Sequence, residues 1–84
     1  MSEVGAIVKN VVEYIVIGIV EDKKSVNVDI SSSSDESVNI EVRTSPEDMG
    51  RVIGKRGRVA RAIRTVAQAA ADEEGLDSSV EFID

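Results

Sequence analysis

The segment Val52-Ile53-Gly54-Lys55-Arg56-Gly57 decides how this chain of 84 residues is interpreted. In it, an apolar pair runs into two glycines that bracket two basic residues. Glycine lets the backbone turn sharply and lets a phosphate approach where a Cβ would otherwise stand. Because glycine makes up about 7% of an average sequence, the spacing of the two glycines alone is a weak signal. The residues on either side of the segment must therefore supply the specificity.

A short helix is predicted on the N-terminal side of the glycines. Ser45 can cap this helix, and Pro46 suits its first position. Asp48 follows the cap by three residues, as in a capping box. The pattern predicts a helix that runs to about Ile53 and is stopped by Gly54.

A longer helix is predicted on the C-terminal side, from about Arg58 until Gly75, a residue type that suits a helix C-terminus. At about 100° per residue, its arginines fall on one side and an apolar set falls nearly opposite. The arginines are Arg58, Arg61 and Arg64, and the apolar residues are Val59, Ala62, Ile63, Val66 and Ala70. We expect the apolar set to face the core and the arginines to line an exposed edge that begins at the loop.

Positive charge is concentrated around the same segment. Residues 51–64 carry six basic side chains and no acidic one, whereas the whole chain has 10 basic and 16 acidic residues and a formal net charge of -6. Such segregation favours a local anion site on a body that otherwise repels anions. The alternative is a solvated basic helix face that pairs with acidic residues elsewhere.

The charges on the longer helix oppose its macrodipole at both ends. Lys55, Arg56 and Arg58 lie at its N-terminus, where acidic residues are preferred, and residues 72–74 are all acidic at its C-terminus. A bound anion would relieve the conflict at the loop. The sequence offers no comparable account of the acidic end.

The rest of the chain predicts one helix and three strands. Apolar residues recur at helical spacing from Glu3 to about Ile19. Alternating residues predict strands at 25–31 and 37–43, joined by a flexible loop at 32–36, and Val80 and Phe82 mark a final strand. The order α-β-β-α-α-β implies an α/β fold, an α+β sandwich with helices on one face of a three-stranded sheet and a polar opposite face. The final strand follows two helices, so we expect it to pair in parallel with an earlier strand.

Composition excludes several classes of protein. The length suits one small domain, residues 1–84. Cysteine and histidine are absent, which removes disulfides, the commonest zinc ligands and the usual proton shuttle. Tyr14 and Phe82 are the only rings, so RNA-binding folds that stack bases on aromatic platforms are excluded. The apolar run from Tyr14 to Val20 is too short to span a membrane. We expect a cytoplasmic protein with no cofactor and no metal.

Other interpretations of the loop fail on its residues. A P-loop requires GxxxxGK[ST] directly after a strand, and the dinucleotide-binding GxGxxG pattern is missing. A DNA-binding helix-turn-helix has no basic turn bracketed by glycines. The carboxylates at residues 72–77 resemble neither an EF-hand loop nor a two-metal cluster. We therefore expect no enzymatic activity.

The loop and its flanks resemble the KH-domain signature, an apolar pair running into GxxG between two helices, whose loop clamps backbone nucleotides. A helix and a hairpin before the motif, with one strand after it, resemble the type II arrangement found in bacteria. The stretch 45–55, followed by Arg61-Ala62-Ile63-Arg64 in a chain of this size, is similar to the small stand-alone RNA-binding proteins of the KhpA family. This resemblance covers nearly the whole chain.

The resemblance implies a type II KH fold and a non-catalytic protein that binds single-stranded RNA as a chaperone or post-transcriptional regulator. In such a protein the glycines shape the loop, the two basic residues between them meet phosphates, and the apolar pair and the second helix border the base groove. The three arginines are candidates for further phosphates. The RNA-binding residues are then Val52, Ile53, Gly54, Lys55, Arg56, Gly57, Arg58, Arg61 and Arg64.

Partners follow from the same resemblance. It implies a homodimer, or pairing with a larger KH-containing protein. Without rings in the groove, bases would rest on aliphatic side chains, so we expect weak binding with little sequence preference. The alternative is a protein-interaction or assembly module that uses a KH fold with little direct RNA binding.

Overall fold

The computed structural model describes residues 4–83, which form three α-helices on one face of a three-stranded sheet. The elements are α1 (Ala6–Ile19), β1 (Asn27–Ser33), β2 (Ser37–Arg43), α2 (Pro46–Ile53), α3 (Arg58–Glu73) and β3 (Asp77–Ile83). The sheet order is β1-β2-β3, with β1 antiparallel to β2 and β3 parallel to β2. The predicted fold class, element order and parallel final strand are confirmed.

The core lies between the sheet and the helices. Alternation in the strands sends Val28, Ile40 and Val80 inward, and α1 contributes Val8, Val12 and Val16 from successive turns of one helix face. These side chains are at most 4% exposed. Burial of β-branched side chains on the pleated sheet therefore positions α1 over β1 and α3 over β3.

The outer face of the sheet is polar, as predicted. Register places Asp29 opposite Glu41, and Glu41 opposite Glu81, so three carboxylates form a row across the strands. Arg43, from the same strand as Glu41, donates to the Glu41 carboxylate at 3.2 Å. No apolar element covers this face within residues 4–83, so its side chains remain in contact with solvent.

The N-terminal helix begins later than predicted. The helix α1 starts at Ala6, and the predicted start at Glu3 lies outside the described residues. Gly5 precedes the helix in a left-handed conformation, with φ +86°, and a Cβ there would lie 2.4 Å from Val38 Cγ2. The helix continues to Ile19 despite its β-branched C-terminal turns, because Val16 and Val20 are buried against the core.

The first strand is displaced from its predicted position. β1 runs from Asn27 to Ser33 instead of 25–31, because Ser25 lies in a short 3₁₀ turn and a bulge lies between Ile30 and Ser32. The connecting loop shortens to residues 34–36. Ser34 Oγ accepts the backbone N–H groups of Glu36 and Ser37, each at 3.2 Å, and so closes the turn.

The capping box predicted for α2 is wrong. Ser45 makes no side-chain cap, and its hydroxyl instead donates to Asp48 Oδ2 at 3.1 Å. The Asp48 carboxylate accepts the backbone N–H groups of Glu21 at 3.1 Å and Asp22 at 2.9 Å. Arg51 of α2 pairs with the Glu21 carboxylate. Asp48 therefore links α2 to the segment that follows α1. Local spacing cannot reveal this contact, because the two N–H donors lie 27 and 26 residues before Asp48 in the sequence.

This contact predicts an acid-sensitive fold. The pKa of the Asp48 carboxyl is lowered from 3.8, chiefly by the backbone N–H of Asp22 and then by that of Glu21. Stability from such a group is present above the unfolded pKa and is lost as pH falls through the folded pKa. We expect Asp48→Asn to lower the melting temperature at neutral pH. Below about pH 4, the stability of this variant should depend less on pH than the stability of the parent chain does. Thermal melts across pH measure this, with the exposed Asp29→Asn as control. Parallel pH profiles for Asp48→Asn and the parent chain would contradict it.

The buried face of α3 also differs from the prediction. Of the predicted set, Ile63 is buried and Val59 and Ala70 pack against the core, as expected, but Ala62 and Val66 are exposed. The other buried positions are Ala60, Ala67 and Ala71. Small alanine side chains let the helix lie close to the sheet, so it rotates its alanine side inward and leaves the larger valine outside.

The C-terminus of α3 agrees with the sequence prediction. Gly75, with φ +71°, donates its N–H to Asp72 O at 3.1 Å, and Leu76 donates to Ala71 O at 2.9 Å. These two bonds form a Schellman motif. Leu76 is buried, which fixes the direction in which the chain enters β3.

Candidate nucleic-acid interface

The segment Gly54–Gly57 forms a single tight turn between α2 and α3. Gly54 N–H donates to Gly50 O at 2.8 Å and ends α2, and Gly57 N–H donates back to Gly54 O at 3.0 Å. Positive φ angles occur at Gly54 (76°), Arg56 (58°) and Gly57 (71°). Three positive φ angles in four residues accompany one 3₁₀ turn that joins the end of α2 to the start of α3 and leaves Lys55 and Arg56 exposed.

The two glycines of the loop have different physical roles. A Cβ on Gly54 would lie 2.4 Å from Val59 Cγ2 and 2.9 Å from Val59 N, so this position has no room for a side chain. A Cβ on Gly57 would meet nothing within 4 Å. Gly54 lets the loop fold back on the first turn of α3, and Gly57 leaves an open surface beside the tip.

The tip of the loop is exposed and cationic. Lys55 and Arg56 are exposed, and none of the three salt bridges found among residues 4–83 includes either of them. Arg56 holds φ +58° although it is not glycine, a conformation that costs about 1 kcal/mol or more. The N-terminus of α3 directly follows, and it carries no acidic residue in its first turn and no side-chain cap. The loop therefore offers mobile positive charge beside helix N–H donors.

The arginines of α3 are placed in two ways. Arg58 and Arg61 are exposed, and neither is in the salt bridges of the described chain. Arg64 instead contacts β3: its Nε donates to Val80 O at 3.1 Å, and its guanidinium carbon lies 5.1 Å from the centroid of the Phe82 ring. A groove of about 260 Å³ beside Arg64 is lined by Ser78, Ser79 and Val80. All three arginines are exposed, as predicted, but the Arg64 guanidinium is held at the edge of β3.

The apolar pair before the loop divides between core and surface. Val52 is fully buried in the core, and its place at the border of a base groove stays a prediction. Ile53 is half-buried and remains accessible beside the loop. Arg51, part of the basic stretch, forms a salt bridge with Glu21, and its Nε lies 4.0 Å from Asp48 Oδ1. The accessible surface that remains combines the loop with Ile53, Arg58, Arg61 and Arg64.

Sequence reasoning missed two neighbours of this surface. Val59 fills the space that Gly54 leaves open, and Phe82 supports the Arg64 guanidinium. The alternation in the last strand gave a signal for burial of Phe82. No local pattern could pair it with Arg64, because the contact depends on how α3 lies over β3.

Residues 4–83 contain neither a cluster of metal-ligating side chains nor a helix fit to cross a membrane. No group of three or more Asp, Glu, His or Cys side chains is arranged there to hold a metal ion. No helix in the same range has the length and apolar character needed to cross a membrane.

Comparison with known proteins agrees with this geometry. The family model described as KhpA/KhpB, KH domain matches residues 9–82. A protein of Clostridium perfringens named RNA-binding protein KhpA is 47% identical over 75 residues, which cover 89% of this chain and 99% of that protein. Proteins of the same name from Clostridium acetobutylicum and Halalkalibacterium halodurans are 43% and 38% identical, covering 89% and 90% of this chain and 99% of each relative. Among solved structures no match is found. The chain therefore belongs to the KhpA/KhpB family of KH-domain proteins.

Proposed function

We propose that this chain is a non-catalytic protein that binds single-stranded RNA through the Gly54–Gly57 loop and acts in the cytoplasm. The observation that carries the proposal is the loop itself: an exposed cationic tip on a tight turn, next to the uncapped N-terminus of α3. Backbone donors and mobile charge at one point suit a phosphate. The KH family and the name of the relatives support RNA as the source of that phosphate.

The proposed binding mode assigns each residue a separate task. Gly54 and Gly57 allow the turn, and Lys55 and Arg56 bind two adjacent phosphates. Arg58 and Arg61 extend the cationic surface along α3. Ile53 offers an aliphatic surface for a base. Arg64, supported by Phe82, presents its remaining N–H groups at the edge of β3.

The mode has a consequence for specificity. Tyr14, one of the two rings in the chain, lies on α1 and is 83% exposed, and the other ring, Phe82, lies beneath Arg64. Neither provides an open platform beside the loop, so bases gain little stacking energy. We propose weak binding with little sequence preference, which suits an RNA chaperone or a post-transcriptional regulator that contacts many transcripts.

Salt titration tests this mode of binding. Two or three neutralised phosphates predict that the logarithm of affinity falls with the logarithm of salt concentration at a slope of about -1.4 to -2.1. Fluorescence anisotropy with an unstructured labelled RNA, on protein freed of bound nucleic acid, measures the slope. A DNA strand of the same sequence shows whether the 2′-hydroxyl contributes. An affinity that does not change with salt would contradict phosphate binding.

A second candidate function is protein assembly, with another copy of the chain or a larger KH-containing protein as the partner. The specific observation is a set of exposed apolar side chains on the helices: Ile7, Tyr14 and Val66 are 55%, 83% and 44% exposed. Pull-downs repeated after nuclease treatment separate the two functions. Partners that disappear with nuclease are held by RNA, and partners that remain contact the protein.

A further inference from the structure

The helix α2, which carries the Gly54–Gly57 loop at its end, is too short to hold its direction by itself. It has eight residues, about 12 Å, whereas isolated helices shorter than about 12–15 residues are marginal in water. Its buried apolar side chains are Met49 and Val52. They turn one face of α2 to the core, but apolar contacts are not directional. The direction of the helix axis therefore depends on a more specific contact.

Asp48 makes that contact. Among residues 4–83 it is the only polar or charged residue in the core, at 3% exposed. Its Oδ1 accepts the backbone N–H of Glu21 at 3.1 Å, and its Oδ2 accepts the backbone N–H of Asp22 at 2.9 Å. Ser45 Oγ also donates to Oδ2, at 3.1 Å. Two bonds to adjacent donors fix an orientation as well as a distance.

Stability alone does not require a carboxylate at this position. Moving a charge from water into a protein costs free energy that hydrogen bonds must offset, and a well-packed apolar residue of similar size often stabilises a fold equally well. The carboxylate adds directionality, because its bonds form in only one arrangement of the two elements that it joins. Asp48 thus sets the direction of α2 relative to the segment that follows α1.

The other end of the loop is fixed independently. On the far side of the loop, α3 is joined to β3 by two side chains. Arg64 Nε donates to Val80 O at 3.1 Å, and Gln68 Oε1 accepts the backbone N–H of Ser78 at 3.0 Å. The loop therefore connects two helices that are each anchored by side-chain bonds to distant backbone groups.

A change in the direction of α2 must therefore alter the loop. Gly54 lies six residues after Asp48, about 9 Å along the helix, so rotating α2 by about 10° would move the start of the loop by roughly 1.5 Å. The loop has little room to absorb this movement. A Cβ on Gly54 would already lie 2.4 Å from Val59 Cγ2, and Arg56 already holds a φ of +58°.

We infer that Asp48 is a positioning residue for phosphate binding by the loop. By fixing the direction of α2, it holds the loop in the shape in which Lys55 and Arg56 contact two adjacent phosphates at the same time. The inference rests on the proposed function. Asp48 is buried and acts only through the loop. A loop that is already in its binding shape binds more tightly, because less conformational freedom is lost on binding.

The RNA affinity of Asp48→Asn tests the inference, because charge and positioning predict opposite signs. The change removes a negative charge whose Oδ1 lies 4.0 Å from Arg51 Nε, so electrostatics alone predicts tighter RNA binding. An asparagine has one acceptor oxygen, and its NH₂ group faces the other N–H donor, so positioning predicts weaker binding. We expect a loss of about fivefold or more, and a salt slope smaller by about 0.7, the share of one phosphate.

Two control variants are measured at neutral pH and at a temperature at which every chain is folded. Glu21→Gln also removes one negative charge and the salt bridge to Arg51, but it keeps the backbone bond to Asp48, so its RNA affinity should equal or exceed that of the parent chain. Val8→Ala destabilises the core at the other end of α1, and its affinity and salt slope should equal those of the parent chain. An Asp48→Asn chain that binds RNA as tightly as these controls would overturn the inference.

Backbone amide resonances of residues 54–57, recorded by NMR without RNA, give a second readout. They should shift in Asp48→Asn and stay in place in Val8→Ala. Asp48→Glu keeps the charge but adds one methylene group, so the same bonds form only if α2 moves. This variant should shift the same resonances and weaken RNA binding, and it replaces Asp48→Asn if that chain does not fold. Loop resonances that stay in place in both Asp48 variants would overturn the inference. If the parent chain binds no RNA, the proposed function fails, and these resonances still decide whether Asp48 positions the loop.

Discussion

Replacing Lys55 and Arg56 together by Asp is expected to abolish RNA binding and to leave the circular dichroism spectrum and the melting temperature nearly unchanged. The change reverses two charges at the tip of the loop, so two phosphate contacts become repulsive. We expect a loss of at least about a hundredfold in affinity at low salt. The two substitutions should leave the fold unchanged, because both side chains are exposed and neither is in a salt bridge of the described chain. Aspartate also tolerates the left-handed backbone at Arg56.

A second basic pair provides the matched control. Lys23 and Lys24 are adjacent, exposed and part of a 3₁₀ turn, like the pair in the loop. Replacing both by Asp changes the net charge by the same amount as the double change in the loop. The turn at Lys23 and Lys24 is not flanked by glycines. Affinity should fall little in this control. If the two double variants lose affinity equally, then RNA responds to the overall charge, and the loop is not the binding site.

Gly54→Ala is expected to destabilise the protein by about 1–3 kcal/mol, the usual cost of forcing a side chain into a backbone conformation that favours glycine. At φ 76° and ψ 170°, the new Cβ would also contact Val59. A chain of 84 residues has a total stability of roughly 4–12 kcal/mol, so this is a large share. Chemical denaturation measures the loss, and RNA affinity should fall with it because the loop must move.

Gly57→Ala is the control for this prediction. Its φ of 71° and ψ of 17° are left-handed, but a Cβ there meets open space, so the loss should be smaller, about 1 kcal/mol. Combining Gly54→Ala with Val59→Ala should recover only part of the stability, because the contact with Val59 N remains. A Gly54→Ala chain as stable as the Gly57→Ala chain would contradict the role given to Val59.

The order of the elements and the position of the loop were predictable from local patterns. Strand alternation at 37–43, the Pro46 helix start and the Gly75 helix end each depend on a few neighbouring residues. The buried side of α3 was not predictable in the same way. Its apolar residues are mostly alanine and valine, and a helical wheel cannot tell which of the two packs against the sheet.

The contacts that refine the candidate site connect distant parts of the chain. Asp48 binds backbone groups 26 and 27 residues away, and Arg64 reaches Val80 across 16 residues. Spacing within a helix places a side chain on a face, but the neighbouring element decides its partner. For this reason the sequence indicated the exposed cationic loop, yet it could not show that Val52 lies in the core.

The row formed by Asp29, Glu41 and Glu81 makes the outer face of the sheet negative, whereas the Gly54–Gly57 loop carries exposed positive charge. In the proposed mode of binding, the sheet face would repel an approaching polyanion and the loop would attract it, so the field would orient the domain before contact. Such steering would let a protein of overall negative charge associate rapidly with RNA through one face.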